Sequence, residues 1–397
     1  MNMRAKETTQ GVSPQLHKQW TSRDRILTAM RRGMPDRVPV IPDISNMVPA
    51  RRTGKPFWEI YLYENPALDD AYVEAVNYYG MDGWYIYDNA TMIESSGWKK
   101  KEIHRDEDEL HVRRWIETPL GELEEIICYP RNDPPWSMSE MVKDIAVDFP
   151  KLKWVMEQNS LTDIAKNRGK IGDRGVYGVA IETFMGFWVW AREGGSTQAI
   201  RDFFEQPERM QEVKEFYLAY VERAAKEILA QRPDEILIAG SSSSLSLSSP
   251  RIYREFDLPV IKIISSLCKD AGVICHQHTC GRSRQIVEIN YHETDVMVME
   301  PLERPPGGDV NLAEVKKMFG DKFCLKGNVN TFETMLNGTP QDVEREARAC
   351  IDAAAAGGGF ILATGDQCGR DTPDENLFAL IEVAKSYGRY SEPRKEN

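Results

Sequence analysis

His278-Thr279-Cys280 sets an imidazole and a thiol two residues apart, and a further soft donor, Cys368, follows far downstream in Thr364-Gly365-Asp366-Gln367-Cys368. In an extended segment the period of two puts His276, His278 and Cys280 on one face and Cys275 on the other. Two thiolates and one imidazole form a Cys2His donor set suited to Zn2+, and three protein donors leave a fourth position open, as catalytic zinc sites do. Such a site holds a thiol as thiolate near neutral pH, or polarises a bound oxygen or sulfur. The spacing also has a second reading. Cysteine is commonly buried, and a lone strand histidine is commonly a hydrogen-bonded core residue. His276, one layer below His278, is expected to be of that core kind.

These donors need elements to bring them together. Eight short apolar runs read as strands: residues 38–42, 83–87, 175–181, 235–239, 273–278, 295–300, 323–327 and 359–364. Near-continuous apolar runs are what buried parallel strands show. Helical patterns separate them. Met210, Val213, Tyr217, Val221 and Ile228 recur near helical spacing over Pro207–Ala230. Thr339-Pro340 and Thr372-Pro373 each read as an N-cap followed by proline at the first helical position, the second opening a last helix through Leu377, Leu380, Ile381 and Ala384.

Strands alternating with helices predict a parallel sheet, and eight is the count that closes a (β/α)8 TIM barrel. The rival, an open doubly wound sheet, lacks a Gly-x-Gly-x-x-Gly after the first strand. His278 and Cys280 at the end of strand 5, and Cys368 after strand 8, then meet at the C-terminal mouth, where barrel active sites lie. Residues of about 94–150 break the rhythm, alternating around a turn signal at 118–121, and predict a β-hairpin insertion after strand 2. Ser-rich residues 241–249 read as a mouth loop. The expected organisation is an N-terminal tail over 1–21, one barrel with an N-terminal helical extension over 22–390, and a C-terminal tail over 391–397.

Composition narrows the partners. The net charge of -12 offers no basic excess for nucleic acid, while 41% hydrophobic and 28% charged residues read as a soluble globular chain. The polar N-terminus has no apolar stretch of signal-peptide type, and no run has transmembrane length, so neither leader nor membrane span is expected. Seven scattered cysteines do not form a disulfide framework pattern, which points to a reducing cytoplasm.

Several stretches resemble the uroporphyrinogen decarboxylase superfamily: His278-Thr279-Cys280-Gly281, Gly308-Asp309-Val310-Asn311-Leu312-Ala313-Glu314-Val315, Leu325-Lys326-Gly327-Asn328-Val329 and Gly357-Gly358-Gly359-Phe360-Ile361-Leu362. The opening Arg25-Ile26-Leu27 and Pro35-Asp36-Arg37-Val38-Pro39-Val40 fit it too, so the likeness covers roughly residues 22–390. It implies a (β/α)8 barrel. Within the superfamily, the cobalamin-dependent methyltransferases carry His-x-Cys plus a distant Cys as zinc ligands, which here implies His278, Cys280 and Cys368. The decarboxylases carry a histidine on the last strand where this chain has Asp366. Their arginine-rich segment after strand 1 is replaced by Met47-Val48-Pro49-Ala50-Arg51-Arg52. A substrate with many carboxylates needs guanidinium partners. Asp88 resembles the decarboxylases' strand-end aspartate and keeps that alternative open.

The resemblance implies methyl transfer between a small O-methyl, S-methyl or thiol substrate and the cobalt of a corrinoid protein. No corrinoid-binding Asp-x-His-x-x-Gly is present, so the cobalamin is expected on a separate protein docked over the mouth. The alternatives are a metal-free decarboxylase and a non-catalytic corrinoid- or metal-binding partner. Glu300, Glu182 and Asp366 are candidates for a fourth ligand or for carboxylates that orient the ligand histidine. Each also reads as a capping or turn-forming acid. Asn328 suits a substrate or corrin amide, or a turn. Tyr87, Trp188 and Trp190, with Tyr85, Trp98, Phe184 and Phe187, are expected either to line an apolar pocket for the methyl donor or to belong to the core.

Overall fold

The computed structural model describes residues 19–91, 97–159, 161 and 164–390. The C-terminal tail expected over 391–397, residues 1–18 of the N-terminal one, and residues 94–96 at the start of the expected insertion lie outside the described residues. Eleven strands follow in chain order: β1 (Gly83–Asn89), β2 (Lys99–Arg105), β3 (Glu109–Thr118), β4 (Gly121–Pro130), β5 (Trp136–Ser139), β6 (Gly175–Glu182), β7 (Glu235–Ala239), β8 (Ile274–Thr279), β9 (Val298–Pro301), β10 (Cys324–Val329) and β11 (Phe360–Thr364). Seven of them form one sheet in the order β1-β6-β7-β8-β9-β10-β11, and every pairing in it is parallel.

The eighth barrel strand predicted at 38–42 survives as a single parallel bridge, Val40 to Leu362. Pro39 and Pro42 lack the N–H groups a ladder needs. Ile41 N–H still reaches the Leu362 carbonyl at 2.8 Å, and Leu362 N–H the Pro39 carbonyl at 2.9 Å. On the other side Asp82, just before β1, receives the Val40 N–H on its carboxylate at 2.9 Å and donates its own N–H to the Val40 carbonyl at 3.1 Å. This short segment therefore links β11 to β1 and closes the barrel. Asp82 is fully buried and also takes Arg25 and Arg37 at 3.1 and 2.8 Å, so its charge is neutralised where it stands. Helix Ser22–Met30, which carries Arg25, lies against the end of the barrel opposite the mouth, with Arg23 on Asp234 just before β7.

Helices pack on the outer face. Pro207–Ala230 forms as the periodicity predicts and buries Met210, Val213, Tyr217, Val221 and Ile228. Thr339 caps Pro340–Ala354 with a reciprocal capping box through Asp342. The last helix differs from expectation: it runs Asp374–Ser386 with Pro373 at the cap, and Thr372 gives no side-chain cap. The insertion is larger than the expected hairpin, an antiparallel sheet ordered β2-β3-β4-β5. Its alternation buries Leu110, Val112 and Tyr129 against Trp58 of helix Phe57–Tyr61, and Ile116 and Leu123 against the main core. Among the described residues no helix is long and apolar enough to cross a membrane.

Candidate functional site

Parallel register sets the site. His278 on β8 lies opposite Ala239 on β7 and Glu300 on β9. His276, His278 and Glu300 therefore point into the barrel, as the period of two requires. His278 Nδ1 sits 3.2 Å from Glu300 Oε1. Burial pushes the Glu300 carboxyl up, but Lys326, His276 and His278 outweigh it and hold it well below the usual carboxylate range. An ionised carboxylate only accepts, so Nδ1 carries a hydrogen towards Glu300, and Nε2 can take a ligand once it has shed its own proton. Burial alone would lower the His278 pKa, yet Cys280, Glu300 and Asp366 together raise it well above its ordinary value.

Beneath His278 lies a closed polar layer. His276 is fully buried, with Nδ1 2.9 Å from Glu235 Oε2 and Nε2 3.6 Å from Glu300 Oε1. Glu235 also accepts from the Trp84 indole, and Lys326 pairs with Glu300 Oε2 while lying 3.0 Å from the centroid of the Trp84 ring. The core histidine expected at 276 is thus part of a charged network. Sequence reasoning misses Glu235, Lys326 and Trp84. A lysine in the middle of the apolar run 323–327, and an acid opening 235–239, are the signals that mark the two charges, because unpaired charges are not left in a buried strand.

The mouth is ringed by acids. Burial raises the Glu182 carboxyl to about 7, against the lowering effects of Asn89 and His278. Burial likewise raises Asp366 and Glu303, and Asp366 adds to the rise at Glu303. Glu303 accepts the Gly281 N–H just after Cys280. The structure thus brings Glu182, Glu300 and Asp366 around His278, and adds Glu303 and Asn89.

The three sulfur and nitrogen donors are only partly gathered. Cys280 adjoins His278, and its thiol is 4.0 Å from the Ser241 carbonyl in the Ser-rich mouth loop. Cys368 is fully buried, beside the hydroxyls of Thr364 and Thr372, and burial pushes its thiol up to about 12. Among the described residues, the group of three donors whose ligand atoms lie within 4.8 Å of one another is His104, Glu109 and His111, not His278, Cys280 and Cys368. The His278–Cys280 pair fits a zinc ion by chemistry and placement. Cys368 fits by chemistry, but its thiol stands beside the two threonines and is not gathered with that pair.

Further expected positions lie elsewhere. A register shift between Tyr85 and Asp88 turns Asp88 onto the outer face of β1. There it accepts from Tyr177 and, at 2.8 Å, from Asn167, while its neighbour Asn89 turns inward to Glu182 at 3.2 Å. Asn328 is buried, donating to the Leu302 carbonyl at 2.6 Å and accepting from the Cys350 thiol at 3.5 Å. Tyr87 donates to the Ser45 carbonyl at 2.5 Å and packs on Tyr72. The two tryptophans part company: Trp188 is fully buried with its indole on Asp202 at 3.1 Å, and Trp190 is 58% exposed. Phe187 stacks on Tyr217 in the core.

Residues 189–387 match the family model described as Uroporphyrinogen decarboxylase (URO-D). The chain belongs to this family. It is 27% identical over 175 residues to "Methylcobamide:CoM methyltransferase MtbA" of Methanosarcina mazei, covering 44% of this chain and 47% of that protein. It is 25% identical over 143 residues to a "Uroporphyrinogen decarboxylase" of Pseudoalteromonas translucida, covering 35% and 38%. The chain therefore spans less than half the length of these curated relatives. A solved structure titled "methyltransferase from Methanosarcina mazei" superposes with a TM-score of 0.65 at 17% identity, over 93% of this chain and 99% of that one, which shows the shared fold.

Proposed function

We propose that the barrel moves a methyl group between a small O-methyl, S-methyl or thiol compound and the cobalt of a separate corrinoid protein. The observation that carries this reading is the His278–Cys280 pair at the C-terminal end of β8, in a mouth whose strongest charges on that imidazole come from carboxylates. In this reading His278, Cys280 and Cys368 hold a zinc ion. A bound zinc ion supplies Lewis-acid charge that keeps a thiol as thiolate or stabilises a departing oxygen or sulfur. Glu300 fixes the imidazole through Nδ1. Glu182, with its carboxyl raised to about 7, holds or releases the proton of the substrate heteroatom at its carboxylate oxygen. The methylcobamide in the name of the Methanosarcina mazei relative supports a cobalt partner. A reducing cytoplasm, where thiol donors stay unpaired, is the compartment this chemistry needs.

The second reading is a metal-free decarboxylase acting on a porphyrinogen-like acid, favoured by the family match and the Pseudoalteromonas translucida relative. The electrostatics oppose it. Arg51 and Arg52, which stand where decarboxylases are arginine-rich, turn to Asp374 on the last helix, Arg52 also stacking 3.4 Å from the Tyr78 ring centroid. A polycarboxylate would meet Glu182, Glu303 and Asp366 instead of guanidinium groups. A non-catalytic corrinoid- or metal-binding partner is the third reading.

The deciding experiment joins zinc analysis of freshly purified protein to a methyl-donor screen with cob(I)alamin as acceptor, followed by absorbance. About one zinc per chain at the mouth and methylation of cobalt are expected. Protein without zinc, or turnover that survives both Cys280→Ala and Cys368→Ala, overturns the zinc mechanism. Zinc without turnover for any donor favours the non-catalytic reading.

A further inference from the structure

The inserted sheet carries a second set of metal-type donors, on strands the barrel chemistry does not use. A register shift between Glu102 and His104 brings His104 of β2 opposite His111 of β3, and the two rings lie 4.7 Å apart. Without that extra residue His104 would face the other way, beside Leu110. Glu109, two residues before His111 on the same face, places Oε1 2.7 Å from His111 Nε2. One ligand atom from each of His104, Glu109 and His111 lies within 4.8 Å of the other two.

Two neighbours support the set. Asp106 in the β2–β3 turn has Oδ2 3.0 Å from His104 Nε2, while its Oδ1 accepts the N–H groups of Asp108 and Glu109 at 2.8 and 2.9 Å. Cys128 of β4 lies opposite His111, and its buried thiol donates to the second oxygen of Glu109 at 3.5 Å. Simple ion pairing explains each histidine beside one carboxylate. It does not by itself explain why ligand atoms of both imidazoles and of Glu109 converge within 4.8 Å of one another. A shared cation does.

We propose that His104, Glu109 and His111, with Asp106 in reach as a fourth donor, bind a first-row divalent transition ion at the tip of the inserted sheet. Two imidazole nitrogens and carboxylate oxygens suit zinc, nickel or copper more than magnesium or calcium. His104 is exposed and His111 half-buried, so an ion can enter from solvent without opening the core. Once bound it ties β2 to β3 across the irregular register.

The test uses the full chain, stripped with a chelator and titrated with Zn2+ against a chromophoric competitor. His104→Gln, His104→Gln/His111→Gln and Cys280→Ala are titrated alongside. The double variant is expected to bind one ion fewer than the wild type. His104→Gln should weaken that ion at least tenfold, and Cys280→Ala should keep it. Zinc should also raise the melting temperature less in the double variant than in the wild type. Equal ion counts and affinities in the wild type and both histidine variants overturn the proposal. Should the double variant fail to fold, the exposed His104→Gln substitution decides alone. Failure of the mouth site lowers every count equally and leaves the histidine-dependent difference readable.

Discussion

His278 and Glu300 face each other across adjacent parallel strands, Nδ1 to Oε1 at 3.2 Å, and the second Glu300 oxygen takes Lys326 from the next strand. One carboxylate thus orients the candidate ligand of β8 and neutralises the buried lysine of β10. Lys326 is fully buried, so it finds no water when Glu300 is removed.

Glu300→Gln should therefore act on stability and on the imidazole together. Breaking a buried ion pair by removing one partner costs about 3–5 kcal/mol. The His278 pKa should fall towards its ordinary value. Urea denaturation measures the first and histidine NMR titration the second. Adding Lys326→Met should recover part of the lost stability, because the uncompensated charge leaves with it.

Cys280 and Cys368 should separate by the state in which they are probed. Either alanine substitution is expected to empty the mouth of zinc and to lower methyl transfer by about 100-fold or more, as loss of a direct ligand exceeds loss of its supporting hydrogen bond. In metal-free protein Cys280→Ala, at a partly exposed position, should leave the melting temperature nearly unchanged, whereas Cys368→Ala should cost about 1 kcal/mol. Metal analysis with thermal melts of apo and zinc-loaded protein checks both.

Gly327→Ala should be strongly destabilising. Gly327 has φ +147°, and a Cβ there would stand 2.1 Å from the Pro301 carbonyl oxygen. The obstacle is backbone, which cannot swing aside as a side chain can. A loss of about 2–3 kcal/mol follows from the disfavoured backbone conformation and the clash together. Denaturant midpoints test it, and a neutral result would contradict the close approach of the Gly327 and Pro301 backbones.

Asp257 should make stability fall with rising pH. Burial raises its carboxyl to about 7, against hydrogen bonds from the Met185 N–H, Ser243 and Thr183. Between the unfolded value of 3.8 and about 7 the native state keeps a proton that the unfolded chain has released. The stability this proton confers is full below about pH 4, declines as pH rises, and levels off above about 7. The amide introduced by Asp257→Asn does not titrate. Melting temperatures from about pH 5 to about pH 8 should thus decline more for the wild type than for this variant.

Much of the fold was legible because buried parallel strands carry their own signature. All eight expected strand positions are found in the barrel, and Pro207–Ala230 matches its periodicity. The weak first strand follows from Pro39 and Pro42, which are visible in sequence but whose effect depends on where hydrogen bonds are needed. The insertion showed alternation but not its strand count, because β5 is short and pairs through an irregular register with β4.

The site was legible in its types and not in its contacts. Strand parity alone put His276 and His278 on one face of their strand, since side chains alternate along any strand. Parity cannot foresee an inserted residue. The shift between Tyr85 and Asp88 exchanged Asp88 for Asn89 at the interior, and the one before His104 created a donor cluster on the outer sheet. Nor does local sequence say which aromatic side is covered: Trp188 and Trp190 sit two residues apart, one wholly buried and one mostly exposed. Sequence by itself determined the strands of the barrel and the residue types at its mouth, because propensity and periodicity are local. Only the tertiary structure decided the Glu235–His276–Glu300–Lys326 network, the acidic mouth and the seat of the Cys368 thiol beside two threonines, because these depend on register between strands far apart in the chain.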